Sequence, residues 1–211
     1  MKTMNKTIFK GIIMLLAAMV MTGCDSFLDI TPTGKVIAKT GKEYRALLTY
    51  EYKNFPEDRG LATLRGDEIT LDKTTTKAED YDSYFDIWAW NDLSQQSTTV
   101  SFGWRRYYLA IYIANYIIEN KDKITEATAD EINQLVGEAY MMRAYCHFLL
   151  VNLFAEPYTH CNAATTRGVP LSLKADVNAV LSCSSVEQVY QQVVDDVAKA
   201  KKHLTVEQWE E

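Results

Sequence analysis

Apolar side chains recur three and four residues apart in four parts of the chain, which is the spacing of helices that bury one face. This pattern predicts helices over about 43–53, 100–120, 129–154 and 185–203. The third of these is apolar on almost every side, because its only charged side chains between Leu135 and Ala155 are those of Glu138 and Arg143. We therefore expect the other helices to cover it on more than one side.

Short polar boxes indicate where these helices begin. In each box a hydroxyl can cap an early amide, and a Glu three residues later can reach back to the capping residue. The boxes are Thr40–Glu43, Thr128–Glu131 and Ser184–Glu187. Pro157 follows the third helix and ends it, because proline cannot continue the helical hydrogen bonds. The piece 168–171 is interpreted as extended.

The stretch 54–97 has no sustained period and is interpreted as an irregular loop excursion from the helices. Five aromatic residues fall within 81–90, and they either close the edge of a core or line a binding surface. Trp88 and Trp90 are two residues apart, so their indoles would face the same way if the segment were extended. Together with Tyr84 they are the candidate ligand-binding residues.

Composition supports a helix-rich domain, since 211 residues contain only 9 Gly and 4 Pro and 47% are apolar. There are 22 Lys and Arg against 28 Asp and Glu, which gives a formal net charge of −6. A nucleic-acid partner is disfavoured, because binding phosphates requires basic residues clustered in a stripe and the sequence contains no such stripe. The domain is expected to be mainly all-α.

The N-terminus has the layout of a secretory signal, with three Lys in 1–10, an apolar run of 13 residues and then Cys24. The run is too short to span a membrane comfortably. The residues 21–24 resemble a bacterial lipoprotein processing site, which predicts a signal peptide over 1–23 and lipidation of Cys24. A plain cleaved signal with an incidental cysteine is the alternative. After cleavage, 24–42 would form a tether and the net charge would be −9.

No catalytic, metal or cofactor site is predicted. The three histidines lack the spacing of a metal site, and no nucleophile-elbow motif occurs. The acidic residues between Asp80 and Asp92 lack the glycine and terminal glutamate of a calcium-binding EF-hand loop. Cys161 and Cys183 could form a disulfide in an exported protein, but their spacing does not require one.

Four stretches together resemble the SusD/RagB family of surface lipoproteins. The first is Cys24 followed by Phe-Leu-Asp and Pro32, and the second is the helix 104–120 with its Trp104 and its Ala-Asn pair ending at Asn115. The third is GEAYMMRAYCHFLLVNLFAEPY, residues 137–158, and the fourth joins the Gly-Val-Pro-Leu of 168–171 to the helix that begins near Ser184. These stretches occur in the family's order.

The resemblance implies tetratricopeptide-like helix pairs in an α-α superhelix over 43–211, which looks like the N-terminal region of longer family members. It implies a non-catalytic, surface-exposed lipoprotein of the outer membrane that binds oligosaccharide or peptide nutrients. It also implies delivery of that ligand to a SusC-like TonB-dependent transporter. Two alternatives remain: a helical scaffold lipoprotein that binds only a protein partner, and an exported hydrolase.

Overall fold

Four long helices form close to where the apolar pattern predicts them, and they confirm the all-α class. The computed structural model describes residues 38–56, 58–100 and 103–204. In chain order the elements are α1 (Gly41–Lys53), α2 (Asp58–Thr63), α3 (Ala78–Trp88), α4 (Trp104–Asn120), a 3-10 turn (Lys121–Lys123), α5 (Ala129–Phe154), a second 3-10 turn (Tyr158–His160), β1 (Arg167–Pro170), β2 (Cys183–Ser185) and α6 (Val186–His203).

Helices α1 and α4 run antiparallel. Tyr44 near the start of α1 stacks on Tyr116 near the end of α4, with ring centroids 5.7 Å apart. At the other end, Arg106 of α4 donates a hydrogen bond to the backbone carbonyl of Asn54 at 2.6 Å. The start of α1 therefore lies beside the end of α4, and the end of α1 lies beside the start of α4.

The same ordering holds for the next two pairs of helices. Trp104 at the start of α4 packs against Phe154 at the end of α5, with ring centroids 4.8 Å apart. Between α5 and α6, Asn152 accepts a hydrogen bond from the hydroxyl of Tyr190 at 3.3 Å. The far end of that pair is joined by Asn133 and His203, whose side chains lie 3.2 Å apart. The helices thus form successive antiparallel pairs, as the resemblance implies.

Helix α5 is central, as its apolar surface predicts, because α4 and α6 both pack against it. Its buried side chains contact more than one neighbouring element, and it contributes more residues to the core of the described chain than any other helix. Fully buried apolar residues of this core include Tyr44, Leu48, Tyr107, Ile111, Ile117, Leu135, Leu150, Val169 and Val186.

Two of the three predicted capping boxes are confirmed. Thr40 with Glu43 and Thr128 with Glu131 each make the reciprocal pair of side-chain to backbone bonds. The third prediction is wrong by one residue, since α6 is capped by Ser185 with Gln188 instead of Ser184 with Glu187. The reason is that β2 pairs antiparallel with β1, so the chain stays extended through Ser185 before it turns into the helix.

The excursion contains more regular structure than the sequence indicated, because helices α2 and α3 lie within it. Its aromatic end is helical up to Trp88, so the extended segment that would make the two indoles face the same way does not occur. Tyr81 stacks on Phe85 and Phe85 packs against Trp88, with ring centroids 5.0 and 5.8 Å apart. These contacts are spaced four and three residues apart, which stabilises a helix.

The signal peptide 1–23, Cys24 and the tether up to residue 37 lie outside the described residues. Cys146, Cys161 and Cys183 are free thiols in the structure, so no bridge joins the last two. None of the helices in the described ranges is both long and apolar enough to cross a membrane.

Candidate functional site

The three aromatic residues that the sequence indicated as candidates differ in how far their side chains are exposed to solvent. Tyr84 and Trp88 lie on α3 and are half-buried. The indole N–H of Trp88 donates to the backbone carbonyl of Ile69 at 3.1 Å. This bond joins α3 to an earlier part of the excursion. Trp90 follows the helix and is 63% exposed. Of the three, Trp90 offers the largest open surface.

One face of the Trp90 indole is covered by a cation. The guanidinium carbon of Arg65 lies 4.7 Å from the ring centroid, a distance typical of a cation–π contact. Arg65 also forms an ion pair with Asp92, whose side chain is more than half exposed. The indole, the guanidinium and the carboxylate therefore form one surface, which we call the Trp90 platform.

The platform sits on a turn that is unusual for a tryptophan. Trp90 has a φ of 56°, in the left-handed region that bulky side chains rarely adopt. Its backbone N–H donates to the carbonyl of Ile87 at 3.2 Å, and the N–H of Asn91 donates to the carbonyl of Asp86 at 2.8 Å. These bonds close the end of α3 and reverse the chain direction beyond it.

Asp86 anchors the loop that follows this turn. The side chain is 1% exposed, and one carboxylate oxygen accepts from the amide of Asn91 at 2.9 Å. The other accepts from the hydroxyl of Thr99 at 2.6 Å and from the backbone N–H of Gln96 at 2.7 Å. Bonds from Thr99, then Gln96, then Asn91 hold the pKa of the Asp86 carboxyl below its usual value.

The side chains of the Trp90 platform can bind a ligand by stacking and by hydrogen bonding. A flat indole presents an apolar face, and the exposed carboxylate beside it accepts hydrogen bonds. The positive charge of Arg65 is balanced by Asp92, so the platform carries no net charge of its own. Among the described residues, no group of His, Cys, Asp or Glu is arranged to hold a metal ion.

Two cavities lie elsewhere in the described part of the chain, and the sequence did not point to either. A cavity of about 480 Å³ lies between the starts of α1 and α5. It is bordered by charged side chains, among them Lys42, Glu126 and Asp130. A second, of about 400 Å³, lies beside Tyr158 and Tyr190, whose rings meet edge to face at 5.1 Å. Tyrosines separated by 32 residues gave no signal that they would meet.

A buried polar network lies at the centre of the helical array, and the sequence did not predict it. Arg143 donates to the two oxygens of Asp196 at 2.7 and 2.6 Å, and to the side-chain oxygen of Asn115 at 2.7 Å. The amide of Asn115 in turn donates to the backbone carbonyls of Ser172 and Lys174. The guanidinium of Arg143 thereby joins three helices, and the amide of Asn115 ties them to the segment after β1.

His147 extends this network as a neutral ring. Its Nδ1 lies 3.0 Å from the carbonyl of Arg143, which accepts hydrogen bonds only, so that nitrogen carries the proton. Its Nε2 accepts from the backbone N–H of Ser172 at 3.3 Å. Burial, followed by the nearby charge of Arg143, lowers the pKa of His147 to about 4. The network therefore holds the helices and the segment after β1 in position.

Comparison with known families decides the affiliation of the chain. Residues 27–211 match the model of the SusD-like family, which is described as starch-binding and associating with the outer membrane. The chain belongs to the SusD-like family. The buried network of this SusD-like chain is built from the stretches that carried the resemblance, since Asn115 and Arg143 belong to two of them and Asp196 lies on the helix of another.

Two curated relatives come from Formosa agariphila. SusD-like protein P38 is 26% identical over 209 residues, an alignment that covers 95% of this chain and 38% of that protein. SusD-like protein P25 is 26% identical over 138 residues, covering 65% of this chain and 24% of that protein. The SusD-like chain thus spans less than two fifths of the length of these relatives.

Solved structures show the same fold. A SusD superfamily protein from Bacteroides thetaiotaomicron VPI-5482 superposes with a TM-score of 0.59 at 23% identity, over 78% of this chain and 37% of that one. A protein from Bacteroides vulgatus ATCC 8482, named for sugar binding, gives a TM-score of 0.63 at 18% identity, over 81% and 38%. At these identities the likeness concerns the helical fold alone.

Proposed function

We propose that this SusD-like chain captures a glycan nutrient and hands it, chemically unchanged, to a SusC-like TonB-dependent transporter. The single observation that carries the proposal is the Trp90 platform. It presents an exposed indole beside a hydrogen-bonding carboxylate, on a domain whose family is described as starch-binding. Indoles stack on the apolar faces of sugar rings, and acidic oxygens accept bonds from the hydroxyls around them.

The location that fits this function is the surface of the outer membrane. Lipidation of Cys24 would hold the domain there by acyl chains, and the residues between Cys24 and α1 would separate it from the bilayer. The family description supports association with the outer membrane. A peptide remains the other ligand class that the proposal admits, since an indole also packs against apolar peptide side chains.

Binding to neutral polysaccharide tests the proposal. The wild-type chain should be retarded in a native gel that contains soluble starch. Trp90→Ala should lose retention by at least about tenfold in affinity, which corresponds to about 1.4 kcal/mol of lost stacking. Its melting temperature should change little, because the ring is exposed. Tyr50→Ala is the matched control, since that aromatic ring is also exposed and belongs to α1 instead of the platform.

The result decides between the ligand classes and the alternative role. No retention by starch or other neutral polysaccharides, or equal retention of wild type and Trp90→Ala, would overturn glycan capture at the platform. A helical scaffold is the second candidate, and the exposed apolar side chains of Met141, Phe148 and Val194 on α5 and α6 favour it. A chain that binds a protein partner while showing no affinity for glycan would support that alternative.

A further inference from the structure

The Trp90 platform has a feature that stacking alone does not require, namely the left-handed backbone of the tryptophan that forms it. A bulky residue at a φ of 56° is strained, and such a conformation persists only where the surroundings fix it. Strained turns of this kind cluster at binding sites, because they pre-organise a side chain before the ligand arrives.

Arg65 supports the ring of Trp90. Its guanidinium lies over one face of the indole and pairs with Asp92, so it closes that face and leaves the opposite one for a ligand. A contact to the ring can orient it about its side-chain bonds. The backbone N–H groups at the turn, those of Trp90 and Asn91, donate to the carbonyls of Ile87 and Asp86.

Asp86 holds the chain on both sides of the strained residue. Its backbone carbonyl accepts from the N–H of Asn91, and its carboxylate accepts from the side chain of the same residue. Its second oxygen binds the N–H of Gln96 and the hydroxyl of Thr99, which close the loop beyond Trp90. With both oxygens engaged and the side chain buried, Asp86 fixes where the loop leaves the helix and where it returns.

We infer that Asp86 is the positioning residue of the Trp90 platform. It holds the left-handed turn in place so that the indole is presented in its binding pose before a sugar arrives. This inference rests on the proposed function for its consequence, the affinity for glycan. The positioning itself is a property of the free protein and can be measured without any ligand. Asp86 acts through Trp90 and does not contact the ligand.

Fluorine spectroscopy of the tryptophans tests the positioning directly. With 5-fluorotryptophan incorporated, the resonance of Trp90 is assigned as the one that disappears in Trp90→Phe. In the wild type it should be a single narrow line. In Asp86→Asn it should shift and broaden or split, because an amide places a hydrogen-bond donor against donors at one end of the former carboxylate. Asp82→Asn is the matched control, since that carboxylate is exposed on the same helix.

The same variants then give the affinity for starch in the native gel. Asp86→Asn should bind about fivefold more weakly, because the ligand must first order a mobile platform. The Asp82→Asn variant should bind as the wild type does. Thr99→Val removes one bond to the carboxylate and should move both readouts in the same direction by a smaller amount. This variant keeps the test decisive if Asp86→Asn folds poorly.

The outcomes separate the two proposals. An unchanged Trp90 line in Asp86→Asn and Thr99→Val overturns the positioning role, whatever happens to affinity. A moved Trp90 line with unchanged affinity for starch also overturns it, because the pose would then not matter for binding. If the wild type does not bind starch at all, glycan capture fails, and the fluorine line alone decides whether Asp86 holds Trp90.

Discussion

The helical array and the excursion are stabilised by different forces. In the array, the core is a continuous set of buried apolar side chains around α5. In the excursion, the residues from 60 to 100 include two buried ones, Asp86 and Ile87, and neither belongs to that core. Its order comes from local hydrogen bonds, such as those of Asp86 with the loop and of Asp72 with the backbone of Thr74.

This difference determines which region can accept substitutions in a binding surface without loss of core packing. A loop held by its own hydrogen bonds can be altered without repacking the core, and a rigid scaffold beneath it keeps its position. The polar residues of the core are constrained in the opposite way, because each is bonded to groups far away in sequence. Arg143 is bonded to residues 28 and 53 positions distant, whereas the carboxylate of Asp86 reaches no further than 13.

The largest effect that would test this comparison comes from removing one arginine in each region. Arg143→Ala leaves the carboxylate of Asp196 buried without its partner, which should cost about 3–5 kcal/mol of unfolding free energy. Arg65→Ala removes a pair whose carboxylate is solvent-exposed and should cost less than about 1 kcal/mol. Urea unfolding followed by circular dichroism measures both. Equal losses would show that the two regions are not stabilised differently.

A smaller effect is expected from acidification. The pKa of His147 is about 4 in the folded protein and about 6.5 when unfolded, so its contribution is complete above pH 6.5. Below that pH His147 is protonated in the unfolded chain but stays neutral in the folded one. The free energy of unfolding therefore falls until the pH passes the folded pKa. At pH 4.5 the loss should be about 2–3 kcal/mol relative to pH 7.

The platform should respond differently to the same acidification. The pKa of Asp86 lies below its usual value, so the loop bonds stay intact at pH 4.5 while the core weakens. Urea midpoints at the two pH values measure the core, and the fluorine line of Trp90 reports on the loop. His147→Gln, which cannot take up a proton but can accept from Ser172, should reduce the pH dependence. If it leaves the dependence unchanged, other groups are responsible.

The sequence predicted the array better than the excursion for a physical reason. Helical periodicity and capping boxes are local signals, and they gave α1, α4, α5 and α6 with ends that differ by a few residues. The missed cap at Ser185 arose because the pairing of β2 with β1, a contact across 18 residues, kept Ser184 extended. Helix α3 was not predicted, because the stretch 54–97 has no sustained helical period and its aromatic cluster indicated only a core edge or a binding surface.

The candidate site was predicted in part. The aromatic density of 81–90 drew attention to Trp90, and its exposure agrees with a ligand-binding surface. Nothing in the sequence pattern indicated Arg65, which lies 25 residues earlier and meets the indole only through the fold. Nor could it give the left-handed turn, because a tryptophan is among the last residues expected in that conformation. The assignment of Trp88, Trp90 and Tyr84 as binding residues stays a prediction.

The smallest effect comes from a pair of glycines, one in a helix of each region. In Gly137 of α5 an added Cβ would lie 2.8 Å from the side chain and 3.1 Å from the backbone nitrogen of Leu204, whose N–H is bonded to Ala200. Gly137→Ala gains about 1 kcal/mol of helix propensity but loses about 1–3 kcal/mol through crowding, so the net change should be a loss. A Cβ added at Gly60 of α2 would meet no atom within 4 Å beyond its chain neighbours and its own helix backbone, so Gly60→Ala should be neutral or stabilising by up to about 1 kcal/mol. Thermal unfolding of the two variants measures the sign of each change in stability.

If Gly137→Ala stabilised the chain as much as Gly60→Ala, the end of α6 could not be packed tightly against α5. The contrast between a closely packed array and an open excursion would then fail at that point.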